Sequence, residues 1–195
     1  MHYNTQFIEV DEILSVKTTI EERKAQILMG LRGYKKVERK VHKDAVSFVV
    51  KTAGEKKALI WCLPTQGTVG VQYISQVRKA MKEEEVERAI IITSGRFTQA
   101  ARVHSRKGGI ELIPRIFPSF NIFDQVLVPK HEILQPDERE KVLGEYRVQP
   151  YQLPRLKASD PAAKAIGATP GDIVKITRDS PTAGKYVSYR YVVEG

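Results

Sequence analysis

"LPRLKASDPAAKAIGATPGDIVKITRDSPTAGKYVSYRYVVEG", residues 153–195, reads as a short capped helix, a Pro-Gly turn and two β-rich strands joined by a loop of small residues. Asp160 is placed to cap the helix, and Pro161 fits the first turn because an N–H there would have no intrahelical partner. Gly167 follows Ile166, where a helix end takes up a left-handed residue. Pro170 and Gly171 suit a type II turn, since proline presets one dihedral and glycine accepts the positive φ of the next. "DIVKIT" and "YVSYRYVV" then alternate apolar and polar residues in the manner of half-buried strands. Tyr186 and Tyr189 lie three apart, on opposite strand faces, which predicts one core ring and one exposed ring. The stretch predicts a small α+β module without catalytic spacing.

Working outward, "VLVPKHEIL" (126–134) predicts a strand entering a turn. "PDEREKVLGEY" (136–146) predicts a helix whose first-turn acids suit the positive end of its dipole. Pro114, Pro118 and Asn121 punctuate "PRIFPSFN", which places a domain boundary near residues 119–121 and divides the chain into 1–120 and 121–195. Ahead of it, "TTIEERKAQILMGLRG" predicts a helix capped by Thr19 with Glu22, with Ile20, Ile27, Leu28 and Leu31 on one face and Gly33 at its end. "YKKVERKV", "AVSFVVK" and "KALIWCL" predict three strands, the last apolar enough to be central. Residues 71–85 predict a helix with Ile74, Val77 and Met81 inward. "RAIIIT", "TQAARVHSRKG" and "GIELIP" follow as strand, helix and strand. That order implies an α/β N-terminal domain, a mixed sheet flanked by helices.

Composition sets limits. Hydrophobic residues make up 42% of 195, enough for packed cores. "ALIWCL" and "AIII" are far too short to span a bilayer, so no membrane partner is expected. "MHYNTQFIEVDEIL" carries acids and lacks the basic-then-apolar pattern of a signal peptide. The single cysteine, Cys62, excludes an internal disulfide and fits a reducing compartment. The four histidines offer no zinc spacing, so neither metal nor cofactor is expected. Cys62 and His104 lie on separate elements without an orienting acid, which favours a structural cysteine over a nucleophile. Ser94-Gly95 and Gly108-Gly109 lack the spacing of a phosphate loop. "KEEEVE" (82–87) reads as a solvated helix end. The net charge of +9 is uneven: residues 1–120 hold 21 Lys/Arg against 13 Asp/Glu, and residues 121–195 hold 11 against 10. A basic first half suits a polyanionic partner, and a near-neutral second half suits protein docking.

The segments 126–134, "QLPRLKASDPAAKAIGATPGDIVKI" (152–176) and "SPTAGKYVSYR" (180–190) fall in one order and cover nearly all of residues 121–195. Together they resemble the C-terminal module of subunit 5 of archaeal and eukaryotic RNA polymerases. "SPTAG" is more similar to archaeal members, many of which consist of that module alone. The resemblance implies a subunit without chemistry of its own, which docks on the largest polymerase subunit beside other polymerase subunits. The implied docking surface includes Thr182, Ala183, Gly184, Tyr186, Tyr189 and Arg190. The implied location is the archaeal cytoplasm, or the nucleus in a eukaryote.

"IIITSGRFTQAAR" followed by "GGIELI", within residues 43–113, resembles the restriction-endonuclease-like domain of the Mrr type. Eukaryotic subunit 5 carries a jaw domain of this fold, so the two resemblances agree. Active nucleases of the group place an Asp on one strand and a Gln/Glu-x-Lys pair on the next, because carboxylates hold a divalent cation and the lysine stabilises charge at the phosphate. Here Trp61 and Leu63 occupy the pair, and Ser47 or Phe48 stands at the Asp position with Asp44 nearby. An indole and an isobutyl group cannot ligate magnesium, so no catalytic residue is expected.

The loop and helix "SGRFTQAARVHSRKG" is the expected contact with downstream duplex DNA. Arg96, Arg102, Arg106 and Lys107 would meet phosphates, while Thr98 and Gln99 add hydrogen bonds. "TQAAR" sits where the eukaryotic jaw has a Thr-Pro-Ser-Ala element, with Gln99-Ala100 in place of the Pro-Ser. An ordinary solvated basic helix is the competing reading of the same charges. A free-standing nuclease or DNA-repair protein, and a DNA-binding transcription factor that borrowed the module, are the alternatives for the whole chain.

Overall fold

A computed structural model of the chain describes residues 18–52, 54–180 and 184–194. Helix α1 (Ile20–Leu31) starts where Thr19 accepts a hydrogen bond from the Glu22 amide, and it gives way to Gly33 at φ +64°. Three strands follow: β1 (Lys35–Val41), β2 (Val46–Lys51) and β3 (Lys57–Leu63). After them come β4 (Thr68–Val69), α2 (Val71–Glu83), β5 (Arg88–Thr93), β6 (Arg96–Phe97), α3 (Gln99–Lys107) and β7 (Ile110–Ile113). The main sheet runs β1-β2-β3-β5-β7, antiparallel across the first three strands and parallel across the last three. It is the mixed sheet that the sequence predicts, with β3 central.

The two-residue alternation of strands sorts the sheet into two cores. Phe48, Val50, Ile60, Cys62, Ile90 and Ile92 turn to one side and pack with Ala25, Leu28 and Met29 of α1. Val49, Leu59, Trp61, Leu63 and Ile91 turn to the other, against Ile74, Val77 and Met81 of α2 and Ala101 of α3. Sixteen buried residues form the first cluster, and at about 25 cal/mol per Å² of apolar area such cores supply the main driving force for folding.

The face of α1 differs from the expected one. Ile20 is 58% exposed, and the buried stripe consists of Glu21, Glu22, Lys24, Ala25, Leu28 and Met29. Charged residues can occupy that stripe because each has a partner. The Ser94 hydroxyl donates to Glu21, Arg39 pairs with Glu22, and Lys24 Nζ donates to the Arg115 carbonyl at 2.7 Å. The small parallel pair β4–β6 has no counterpart in the sequence reading, since two residues are too few for a periodicity to register.

Beyond residue 120 lie β8 (Lys130–Ile133), α4 (Pro136–Tyr146), β9 (Arg155–Lys157), α5 (Pro161–Ile166), β10 (Ile173–Ser180) and β11 (Gly184–Val193). They form a second sheet ordered β8-β10-β11-β9. The Asp160 carboxylate accepts from the Ala162 and Ala163 amides, Gly167 closes α5 at φ +78°, and the Asp172 amide donates to Thr169 across Pro170-Gly171. Each follows its sequence expectation. "VLVPKHEIL" does not: Val126 and Leu127 are fully exposed in a turn closed by the Val128 amide on the Gln125 carbonyl, and the strand begins only at Lys130. Among the described residues nothing covers these two apolar side chains.

The two halves meet through shared side chains. Ala162 and Ala165 of α5 belong to the same core as Ala25 and Leu28 of α1. Arg32, just past α1, holds Glu111 of β7 through both guanidinium nitrogens, at 2.7 and 2.8 Å, and donates to the Lys164 carbonyl at 2.5 Å.

Candidate nucleic-acid interface

Helix α3 is set by Thr98, whose hydroxyl accepts from the Ala101 amide at 3.0 Å. Its other end is held by Arg78 of α2, whose guanidinium donates to the His104 carbonyl at 2.6 Å. A side chain at Gly108 would lie 2.7 Å from Arg78 Nε, so glycine leaves room for that clamp. Ala101 and Ser105 face the sheet, leaving Arg102, Arg106 and Lys107 exposed.

The expected DNA-contacting residues are therefore all on the surface except Thr98, which is half-covered and spends its hydroxyl on the cap. Their arrangement is not a single patch. Arg106 borders the groove between the two halves, and Arg102 is close enough for its charge to act on Lys164 there. Lys107 borders a different cleft, between α2 and α3, with Arg78, Lys82 and His104. Gln99 begins the helix, and Arg96 extends from β6 immediately before it. A basic rim thus follows α3 on both flanks, and Arg78 and Lys82 extend it. The sequence reading missed these two because α2 and α3 are joined only in three dimensions.

The strand positions that carry catalytic ligands in active nucleases are closed here. Ser47, not Phe48, faces the same side as Trp61, its partner across β2–β3. The His42 ring stacks on the Trp61 indole at 4.3 Å, and its Nε2 lies 2.8 Å from the Ser47 hydroxyl. Trp61 and Leu63 are buried at 7% and 3% exposure, and Asp44 is exposed in the β1–β2 turn. Magnesium requires oxygen ligands at close range, and this donor set does not fit it. Among the described residues no group of three or more His, Cys, Asp or Glu side chains converges. Cys62 is on the opposite face from Trp61, and burial pushes its thiol pKa up, with the Glu22 and Glu21 charges adding to the shift.

In the second half, β10 and β11 form a long hairpin with Val174 opposite Arg190 and Asp179 opposite Lys185. β9 pairs only with Tyr191–Val193, so among the described residues the outer edge of β11 from Gly184 to Arg190 carries no further strand. Tyr186 is 60% exposed on that stretch. Tyr189 is half-buried, edge-on to Tyr146 of α4 at 5.9 Å. Neither ring enters the core, contrary to the expectation for one of them. Arg190 donates to the Arg155 carbonyl at 3.3 Å. Thr182 and Ala183 lie outside the described residues.

A family model described as RNA polymerase Rpb5, C-terminal domain, matches residues 120–192. Another, described as Restriction endonuclease, matches residues 18–116, just over half of the chain. The DNA-directed RNA polymerase subunit Rpo5 of Pyrococcus abyssi is 61% identical over 75 residues, which are 38% of this chain and 92% of that subunit. The chain belongs to the Rpo5 family of DNA-directed RNA polymerase subunits, and its first half to the restriction-endonuclease family.

The Rpo5 of Sulfolobus acidocaldarius is 57% identical over 75 residues, covering 38% of this chain and 89% of that subunit. Both archaeal relatives match only the second half, so this Rpo5-family chain carries its nuclease-like half in addition to what they contain. A solved structure titled "Structure of EndoMS in apo form" covers 58% of this chain and 47% of its own, at 15% identity and a TM-score of 0.34, a likeness too distant to weigh. Among the described residues no helix is long and apolar enough to cross a membrane.

Proposed function

We propose that residues 121–195 anchor the chain on the largest polymerase subunit, and that residues 1–120 form a jaw facing downstream duplex DNA without catalysing any reaction. The observation that carries this reading is the family match, which spans nearly the whole of a subunit from Pyrococcus abyssi. The open edge of β11, the exposed Tyr186 ring and the exposed Val126-Leu127 pair are the surfaces suited to docking. Gly184, Tyr189 and Arg190 border that edge, and Thr182 and Ala183 precede it in sequence. The basic rim of Arg96, Gln99, Arg102, Arg106 and Lys107 around α3 suits backbone phosphates, which give affinity with little sequence preference. Catalysis would belong to other subunits, and the site of action would be the archaeal cytoplasm.

The test is purification of the tagged chain from its host. Co-purification of the largest polymerase subunit, lost when Tyr186 and Arg190 are both changed to Glu, is the expected result. Absence of that subunit from the wild-type preparation overturns the anchoring role. The restriction-endonuclease family match favours a second reading, a free-standing nuclease or repair protein. Incubation with plasmid and magnesium separates the two: intact plasmid is expected, and cleavage abolished by Asp44→Asn would establish the nuclease.

A further inference from the structure

Between the two halves lies a groove of about 880 Å³, and its charge is lopsided. Arg32, Lys56, Lys57, Arg88, Arg106 and Lys164 line it against Glu85, Glu87 and Glu111. Arg32 and Glu111 neutralise one another, and Arg32 is held at 4% side-chain exposure. The other five cations have no ion pair among the described residues. Lys164 is the decisive one. It is half-buried on α5, and its ammonium is drawn out of water without a carboxylate in contact. Burial first, and then the charges of Arg32 and Arg102, hold its pKa below the ordinary lysine value, despite the opposing pull of Glu111. A half-buried ammonium with no carboxylate in contact, beside two guanidinium groups and only partly offset by Glu111, costs stability, and an entering anion would offset that cost.

The walls supply the rest of a ligand site. Ala58, Ala89, Ile90, Ile110 and Pro170 form an apolar side, and the Tyr34 ring is placed beside them. The size is that of a pocket for one small organic molecule and is too narrow for a duplex. We infer that this groove binds a small polyphosphate anion of the triphosphate class, held by Lys164 and Arg106 and seated against Tyr34. Such a ligand would touch α3 and β7 of the first half and α5 of the second, and so would tie the two halves together. The site shares Arg106 with the basic rim proposed to meet the duplex, and Lys164, which belongs to α5 and lies outside that rim, is the residue that distinguishes the two.

Calorimetric titration of the full chain tests this in about 0.15 M salt, where surface charges are screened beyond about 8 Å. Sodium triphosphate and magnesium-free ATP are the probes. One saturable site is expected, weakened about tenfold or more by Lys164→Met and by Arg106→Ser, and unchanged by Lys107→Ser on the other flank of α3. Lys164→Met removes an uncompensated charge, so its melting temperature should not fall, and lost binding would not reflect lost folding. Tighter binding of ATP, erased by Tyr34→Leu, would identify a nucleoside triphosphate; equal affinity would identify the inorganic chain. No saturable binding of either probe, or equal weakening by Lys107→Ser, overturns the inference. Duplex affinity that stays intact in Lys164→Met would keep the outcome distinct from that of the jaw.

Discussion

Arg32 is the residue on which most depends at the join between the halves. Its guanidinium spends two nitrogens on Glu111 and one of them also on the Lys164 carbonyl, while its Nε is buried without a partner. Burial works against the charge, and the hydrogen bonds and charge of Glu111, helped by Tyr34, more than offset it, leaving the pKa above the ordinary arginine value. Glu111→Ala would strand that cation. Breaking a buried pair costs about 3–5 kcal/mol, and the 35% exposure of Glu111 places this case at the lower end. Urea unfolding of the variant should show a loss of about 3 kcal/mol. Lys164 gives the opposite sign. Its pKa is lowered in the folded chain, so between that value and its unfolded value the unfolded chain binds the extra proton, and stability rises with pH. Wild-type protein should therefore gain stability relative to Lys164→Met as the pH rises toward the ordinary lysine value of about 10.4, as read from paired thermal melts. Cys62 supplies a third check. A thiol at 0% exposure with a raised pKa is a poor nucleophile, so alkylation by iodoacetamide at mildly alkaline pH should require unfolding.

Elements that announce themselves by period or by cap were legible in the sequence. "KALIWCL" is apolar at six successive positions because β3 is central and buried on both faces. Asp160, Pro161 and Gly167 fix α5 through backbone chemistry that does not depend on neighbours. The faces of α1 were less legible, since hydropathy alone assigns Ile20 inward, whereas Glu21, Glu22 and Lys24 are buried by partners distant in sequence, from strand β1 and from the turns after β5 and β7. The same limit applies to α3. Its charges could be counted from sequence, but their division between two clefts follows from α2 on one flank and α5 on the other. Replacing Arg96, Arg102, Arg106 and Lys107 together by Ser should weaken duplex binding at every sequence tested. The slope of log affinity against log salt should fall by about 0.9 for each phosphate contact removed. An unchanged slope in fluorescence anisotropy would eliminate α3 as the contact. The Thr98 hydroxyl acts as a cap, so Thr98→Ala should cost about 1 kcal/mol of stability rather than a direct contact.

For the whole molecule, the question is why a module that covers nearly all of its archaeal relatives is fused here to a nuclease-like half. The second half has its own small core of Leu156, Ala163, Ala168, Val174, Ile176 and Val192. Yet α5 is shared: Ala163 faces that core, and Ala162 and Ala165 face α1. A helix of six residues with small side chains on both faces lets the two sheets approach closely, and Gly167 at its end passes within 3.1 Å of Arg32 Nε at the position a Cβ would take. The halves are thereby packed as one body rather than strung on a linker, which would give a jaw a fixed direction from its anchor. Ala165 is 0% exposed, so Ala165→Glu would bury a carboxylate without a partner at the join while leaving the second core untouched. Scanning calorimetry of the wild-type chain should show one cooperative transition. The variant should show two, with the transition of the second half the less perturbed. A single transition at the wild-type temperature would mean that the halves are only in contact, and that the direction of the jaw is set by the polymerase rather than by this chain.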